Sequence, residues 1–106
     1  MPDVTILTER ELRAAVRLDG EIVDAIAEAF GWLAEGKASM PPIMHISVPE
    51  HAGDVDIKSA YVSGLDYFAV KIGAGFFNHH KLGLPNSPAS VVLVSAKTGV
   101  VEAVLL

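Results

Sequence analysis

The spacing of apolar residues changes at Gly36, and that change limits the folds open to this chain. Before Gly36 apolar residues recur at steps of three and four, as on one face of a helix. After it they form short runs and alternations separated by turn residues, as in β-strands. Helices followed by a series of strands favour an α+β fold. We therefore predict N-terminal helices followed by a mixed, largely antiparallel sheet.

Two helices are predicted before Gly36. In the stretch "TERE", Thr8 can cap a helix over residues 9–16, because Glu11 three positions on can bond back to it. Asp19 is the N-cap of a second helix, which Gly36 can end. The apolar stripe of this second helix consists of Ile22, Val23, Ile26, Ala29, Phe30 and Leu33.

Six strands are predicted from short apolar runs. One edge strand precedes the helices at residues 4–7. The other five follow the helices at residues 43–48, 55–62, 67–76, 89–96 and 100–106. The breaks between these five contain glycine, proline, asparagine and aspartate, which are typical of turns.

The apolar content is high for a chain of 106 residues, with 51% apolar residues and a mean hydropathy of +0.41. So small a domain has much surface for its volume, so we expect part of that surface to be covered by a second subunit or by further chain. The last strand stops on Val104, Leu105 and Leu106, which also indicates a fragment of a longer protein.

Composition excludes several functional classes. Without cysteine, the chain has no disulfide, thiol nucleophile or cysteine-based zinc site. The net charge of −5, with no basic cluster, argues against nucleic acid as a partner. No segment has the layout of a signal peptide or the length of a membrane helix, so we expect a cytoplasmic protein.

Lys71 is the most unusual residue of the predicted strands, because it interrupts the apolar run "YFAVKIGAGFF". Alternation places it on the same face as Ala69 and Gly73, which leave space around its stem. Gly75 follows, and glycine within a strand often marks a bulge or the close approach of a ligand or of another backbone segment. Lys71 is then either a ligand contact or a lysine that reaches from a half-exposed strand into water.

Other polar residues give weaker signals. Lys58 shares a strand face with Asp54 and Asp56, a pattern typical of solvated surface or, less often, of a cation site. The adjacent His79 and His80 would point to opposite faces of a strand, so no histidine metal site is predicted. The loop at residues 78–88 is long for a compact domain, and such loops often carry function.

The ordered elements "AYVSGLDYFAVKIGAGFFNHHKLGLPNSPASVVLVSAKTGVVEAVLL", residues 60–106, resemble the N-terminal part of the ornithine cyclodeaminase/mu-crystallin family. The family typically shows A-Y-x-x-G-L, then a strand with V-K, then a G-L-P loop and a T-G turn. Residues 40–62 are most similar to the branch associated with ectoine utilisation. The resemblance implies that residues 1–106 form a substrate-binding and dimerisation domain whose NAD-binding Rossmann domain is absent from this stretch.

Three candidate site residues follow from the resemblance. Lys71 falls on the V-K lysine, which implies a catalytic role and contact with the carboxylate and reacting amine of an amino- or imino-acid substrate. Many members carry an arginine where this chain has Ile43, so His45 on the same strand face is a candidate substitute. Lys58 stands where the family often has methionine, and is a candidate for a relocated anion contact.

The resemblance implies that the parent is an NAD-dependent enzyme of ectoine degradation, which deaminates or cyclises an amino or imino acid by hydride transfer. It also implies a homodimer formed through the strand region, and a 106-residue chain that is inactive alone. Two alternatives stay open: an NAD(P)H-dependent imine or ketimine reductase, and a non-catalytic dimerising module that binds a small molecule. The isoleucine at position 43 favours the module.

Overall fold

The computed structural model describes residues 2–85 and 87–106, and within them it contains two helices and seven strands. The helices are α1 (Glu9–Ala15) and α2 (Gly20–Ala34). The strands are β1 (Thr5–Leu7), β2 (Ala38–Ser39), β3 (Met44–Val48), β4 (Gly53–Val62), β5 (Tyr67–Phe76), β6 (Ala89–Ser95) and β7 (Val101–Leu105).

All seven strands join one sheet in the order β1-β7-β6-β5-β4-β2, and β3 also pairs with β4. The β1–β7 pair is parallel and every other pair is antiparallel. The α+β class and the mixed, largely antiparallel sheet are therefore confirmed. Strands β4 and β5, ten residues each, form the long central hairpin that carries the candidate site.

Both predicted helix starts are confirmed by their capping bonds. The Glu11 N–H donates to the Thr8 hydroxyl at 3.3 Å, and the Thr8 N–H donates to the Glu11 carboxylate at 3.2 Å, which completes a capping box. The Asp19 carboxylate accepts from the Ile22 N–H at 3.2 Å. Gly36, just after α2, has a φ of 77°, a conformation that glycine adopts without strain.

The predicted strands are present, with two differences. Strand β2 escaped prediction because its two residues are too few to show alternation. Strand β4 begins at Gly53, two residues earlier than predicted, because Gly53 pairs with Val48 on β3 across a short 3₁₀ turn at Pro49–His51.

The interior is small, and both kinds of element leave apolar surface exposed. Among the described residues only Val94 and Ser95 are buried, and they retain 8% and 7% exposure. The apolar stripe of α2 forms as predicted, yet Phe30 at its centre is 66% exposed. Exposed residues of one sheet face include Met44, Ile46 and Ile72. Neither described helix is long and apolar enough to cross a membrane.

Candidate functional site

The candidate site lies on one face of the β4–β5 hairpin. The register places Lys58 directly opposite Lys71, Asp56 opposite Gly73, and Asp54 opposite Gly75. Residues paired across antiparallel strands project from the same face of the sheet. Two lysines therefore stand side by side at one level, and two carboxylates stand next to two glycines at the following levels.

The turn between β4 and β5 fixes this arrangement. Residues 63–66, "SGLD", connect the strands, and the Leu65 N–H donates to the Val62 carbonyl at 3.1 Å. Gly64 has a φ of 93°, which a residue with a side chain rarely adopts. A short turn of fixed length sets which residues face each other along the whole hairpin, so the lysine pair follows from this turn.

The polar face forms the floor of an open cleft of about 280 Å³. One wall is made by Ser87, Pro88 and Ala89, where the chain enters β6. The Ala74 N–H donates to the Pro88 carbonyl at 2.9 Å, which holds this wall against β5. The cleft is thus built from the hairpin and from the end of the loop that the sequence marked as a functional candidate.

Lys71 runs along the floor of the cleft, over Gly73. Its Cε lies 3.5 Å from the position that a Cβ on Gly73 would occupy. Asp54 is placed in a similar way at Gly75, where its Oδ1 lies 3.3 Å from the corresponding Cβ position. The two glycines leave space that charged side chains from neighbouring positions use. This geometry favours the cleft interpretation of Lys71 over a lysine that extends straight into water.

His45 lies on β3, opposite Asp56, and its Nδ1 is 2.6 Å from the Asp56 Oδ1. The hydrogen bond to Asp56 raises the pKa of His45 above its ordinary value of 6.5. Desolvation opposes this rise, and the charges of Asp56 and Asp54 add to it. The sequence spacing indicates no partner for His45, whereas in the structure the Asp56 carboxylate pairs with it next to the cleft.

The remaining sequence candidates occupy separate places. Ile43 immediately precedes β3 and is exposed. In the loop after β5, the His79 Nδ1 lies 2.8 Å from the Pro85 carbonyl oxygen, and the His80 Nδ1 lies 3.0 Å from that of Phe77. Both histidines thus bond to local backbone.

Sequence reasoning did not include Asp54, Asp56 and the Ser87–Pro88 wall in the site. The sequence correctly predicts that the two aspartates share one strand face with Lys58. The same pattern, however, indicates solvated surface or a cation site rather than part of a substrate cleft. The symmetry of the hairpin about "SGLD" could have identified the pairing of Lys58 with Lys71. Nothing in the spacing indicates that Ser87 and Pro88 close the cleft, because a long irregular loop separates them from β5.

A family model described as the ornithine cyclodeaminase/mu-crystallin family matches residues 3–105. A cyclodeaminase of Sinorhizobium fredii named as uncharacterized is 49% identical over the whole chain, which covers 32% of that relative. The chain thus spans about a third of the length of the curated relatives it matches.

Two solved structures share the fold. The Δ1-pyrroline-2-carboxylate reductase of Thermococcus litoralis, in complex with NADH and L-proline, is 28% identical with a TM-score of 0.91, over 96% of this chain and 31% of that one. An archaeal alanine dehydrogenase dimer with bound NAD is 31% identical with a TM-score of 0.87, over 96% of this chain and 30% of that one. The resemblance noted in the sequence is confirmed: the chain belongs to the ornithine cyclodeaminase/mu-crystallin family.

Proposed function

We propose that residues 1–106 are the N-terminal substrate-binding and dimerisation domain of a longer NAD-dependent oxidoreductase that acts on a small amino or imino acid. The observation that carries the proposal is the course of Lys71 across Gly73 along the cleft floor. The family match and the two similar structures, whose names give NADH with L-proline and NAD, support the substrate class and the cofactor.

Lys71 is proposed to hold the substrate's carboxylate and to orient the carbon that reacts. An ammonium and a carboxylate about 4 Å apart attract each other by about 4 kcal/mol near a protein surface, before the loss of hydration is subtracted. Because Gly73 has no side chain, the stem of Lys71 lies along the lining of the cleft, where its ammonium is proposed to meet the substrate. His45, oriented by Asp56, is proposed to assist at the neighbouring strand.

The nucleotide is proposed to bind outside the described residues. Dinucleotides bind where a glycine-rich turn leads from a strand into a helix N-terminus. The "GAG" of this chain, residues 73–75, instead lies within β5, where all three residues pair with β4 and Gly73 also pairs with Ala89 of β6. We therefore assign NAD to the part of the parent outside this stretch.

For the substrate and the reaction, we propose that the parent deaminates or cyclises an amino or imino acid derived from ectoine. The similarity of residues 40–62 to the ectoine-utilisation branch supports it. The reverse chemistry, reduction of an imine or ketimine, is the second candidate, and the named reductase and dehydrogenase among the similar structures favour it. The non-catalytic module remains the third, supported by the exposed Ile43.

We propose a homodimer because a second subunit would bury apolar surfaces that are exposed to water in the single chain. The surfaces are the stripe of α2 around Phe30 and the sheet face with Met44, Ile46 and Ile72. Burial of apolar surface contributes about 25 cal/mol per Å², so pairing these surfaces stabilises a small domain with little interior of its own. The archaeal alanine dehydrogenase with the similar fold is a dimer, which supports the proposal.

The test is spectrophotometric. The full-length protein should reduce NAD with an amino-acid substrate, or oxidise NADH with the matching imino acid, whereas the 106-residue chain should do neither. Replacing Lys71 with Met should lower kcat/KM about a hundredfold, since a charged contact to the substrate is lost.

Lys97→Met, in the turn before β7, is the matched control and should behave like the wild type. Turnover by the 106-residue chain alone would overturn the assignment. The absence of NAD(H) binding by the full-length protein in a calorimetric titration would favour the non-catalytic module.

A further inference from the structure

The fold places two like charges, those of Lys58 and Lys71, on residues directly opposite each other. They are register partners on β4 and β5, and both line the cleft. Like charges at this position destabilise an antiparallel pair. Among the described residues neither lysine has a carboxylate within ion-pair distance, since the three ion pairs found there join other groups. The pair is therefore available to an external anion.

The nearby acids do not neutralise this pair. Asp56, one level along the face, is bonded to His45 at 2.6 Å. Asp54 lies a further level away, next to Gly75. Two levels of a strand span about 13 Å, so Lys58 lies at one end of the cleft floor and Asp54 at the other. The stem of Lys71 crosses Gly73 at the level between them.

One lysine is sufficient to hold one carboxylate, and the second lysine is what the proposed function leaves unexplained. We propose that Lys58 and Lys71 together bind the two carboxylates of an amino- or imino-dicarboxylic acid. Lys58 is then the specificity-determining residue, and the nitrogen of the substrate is directed towards the acidic end of the cleft. This inference rests on the proposed function for the amino or imino group, but not for the dianion site itself.

A pair of four-carbon probes isolates the second carboxylate. Succinate and butyrate differ by one carboxylate, and their affinity for the full-length protein can be measured by calorimetric titration without any turnover. We expect succinate to bind at least about tenfold more tightly than butyrate, since a charged contact of this kind is worth that much or more. Lys58→Met should abolish the preference, and Lys58→Arg should retain most of it.

The controls separate a specific site from a general charge effect. Lys81→Met, in the loop after β5, should keep the preference for succinate. Thermal unfolding followed by circular dichroism should show that Lys58→Met is folded, which is expected because Lys58 is exposed. In turnover, Lys58→Met should lower kcat/KM for dicarboxylic amino acids by a larger factor than for monocarboxylic ones such as alanine.

Each outcome decides between the two proposals. If succinate and butyrate bind equally, if neither binds, or if the preference survives in Lys58→Met, the dianion site is wrong. Equal loss of both probes in Lys58→Met would mean that the lysines share one carboxylate, which also overturns it. If the preference for succinate depends on Lys58 but no NAD-dependent reaction is found, the dianion site stands and the proposed function fails.

Discussion

Lys71 lies flat across Gly73, with its Cε 3.5 Å from where a Cβ on that glycine would be. The position of the ammonium thus depends on the absence of a side chain two residues further along the same strand. Because the remaining Gly73 neighbour is a backbone oxygen of Asp56 at 3.9 Å, a methyl group fits there at ordinary contact distances.

We predict a graded effect of substitution at Gly73. Gly73→Ala should retain most of the activity of the full-length protein, because its methyl meets Lys71 at an ordinary contact distance. Gly73→Leu should lower kcat/KM by at least about tenfold, since it lifts the lysine out of its place and small misplacements of this kind are costly. Equal activity of the two variants would show that the course of Lys71 across Gly73 has no role.

The ring of Phe76 lies over Gly53, its partner on β4, and also stacks on His79 with ring centroids 4.7 Å apart. A Cβ on Gly53 would come within 2.3 Å of the ring. We predict that Gly53→Ala lowers the free energy of unfolding by about 1–3 kcal/mol, as measured by urea denaturation.

A second variant, at Phe76, tests whether the contact with the ring causes the loss of stability in Gly53→Ala. In the Phe76→Leu background Gly53→Ala should cost less, because the rigid ring that it displaces is gone. Gly20→Ala, where no atom lies within 4 Å of the new methyl, is the control and should not destabilise the chain. Additive costs in the double variant would contradict the proposed ring contact.

The His45–Asp56 bond predicts a pH dependence of stability. Because the pKa of His45 is raised in the folded chain, this bond stabilises fully below the unfolded value of 6.5 and is lost as pH rises through the folded value. Asp56→Asn should therefore lower the unfolding free energy more at about pH 5.5 than at about pH 9.

A direct readout is the titration of the His45 ring by NMR. Asp56→Asn should bring the His45 midpoint down towards 6.5, the value without its partner. Asp24→Asn, on α2, is the matched control and should leave that midpoint in place. An unchanged midpoint in Asp56→Asn would contradict the hydrogen bond as the cause.

Self-association should depend on the exposed sheet face. Ile46→Asp places a charge among the apolar residues of β3 and should shift a dimer towards monomer in sedimentation velocity, because a buried unpaired carboxylate opposes association. Phe30→Asp tests the stripe of α2 in the same way. Lys97→Asp, in an exposed turn, should leave the dimer intact, and a wild-type chain that is monomeric at high concentration would overturn the proposed dimer.

Sequence predicted the fold well where local signals are strong. The Thr8 capping box, the Asp19 cap and the period-2 pattern of β5 each determine their element without help from distant residues. The parallel pairing of β1 with β7 could not be predicted, because it joins opposite ends of the chain and three residues show no periodicity. The two-residue β2 is formed by contact with β4 rather than by its own sequence.

For the site, the sequence identified Lys71, Lys58 and His45 but not their relation to one another. Alternation gives the face on which a residue lies, whereas the partner on the next strand depends on register. The hydrogen bond between His45 and Asp56 requires the β3–β4 register, which a 3₁₀ turn rather than a simple hairpin sets. A close approach across such a turn cannot be predicted from spacing alone.

The pairing of β1 with β7 has a consequence for how the chain folds. Thr5 on β1 pairs with Ala103 on β7, so this strand contact closes a loop that contains almost every residue of the domain. The entropy of closing a loop this long opposes folding by about 4 kcal/mol, although further lengthening adds little. During synthesis β1 is made long before β7, because most of the described residues lie between the two strands. The N-terminal strand must therefore wait unpaired during synthesis, and it is the segment from which we expect late, slow docking onto the sheet.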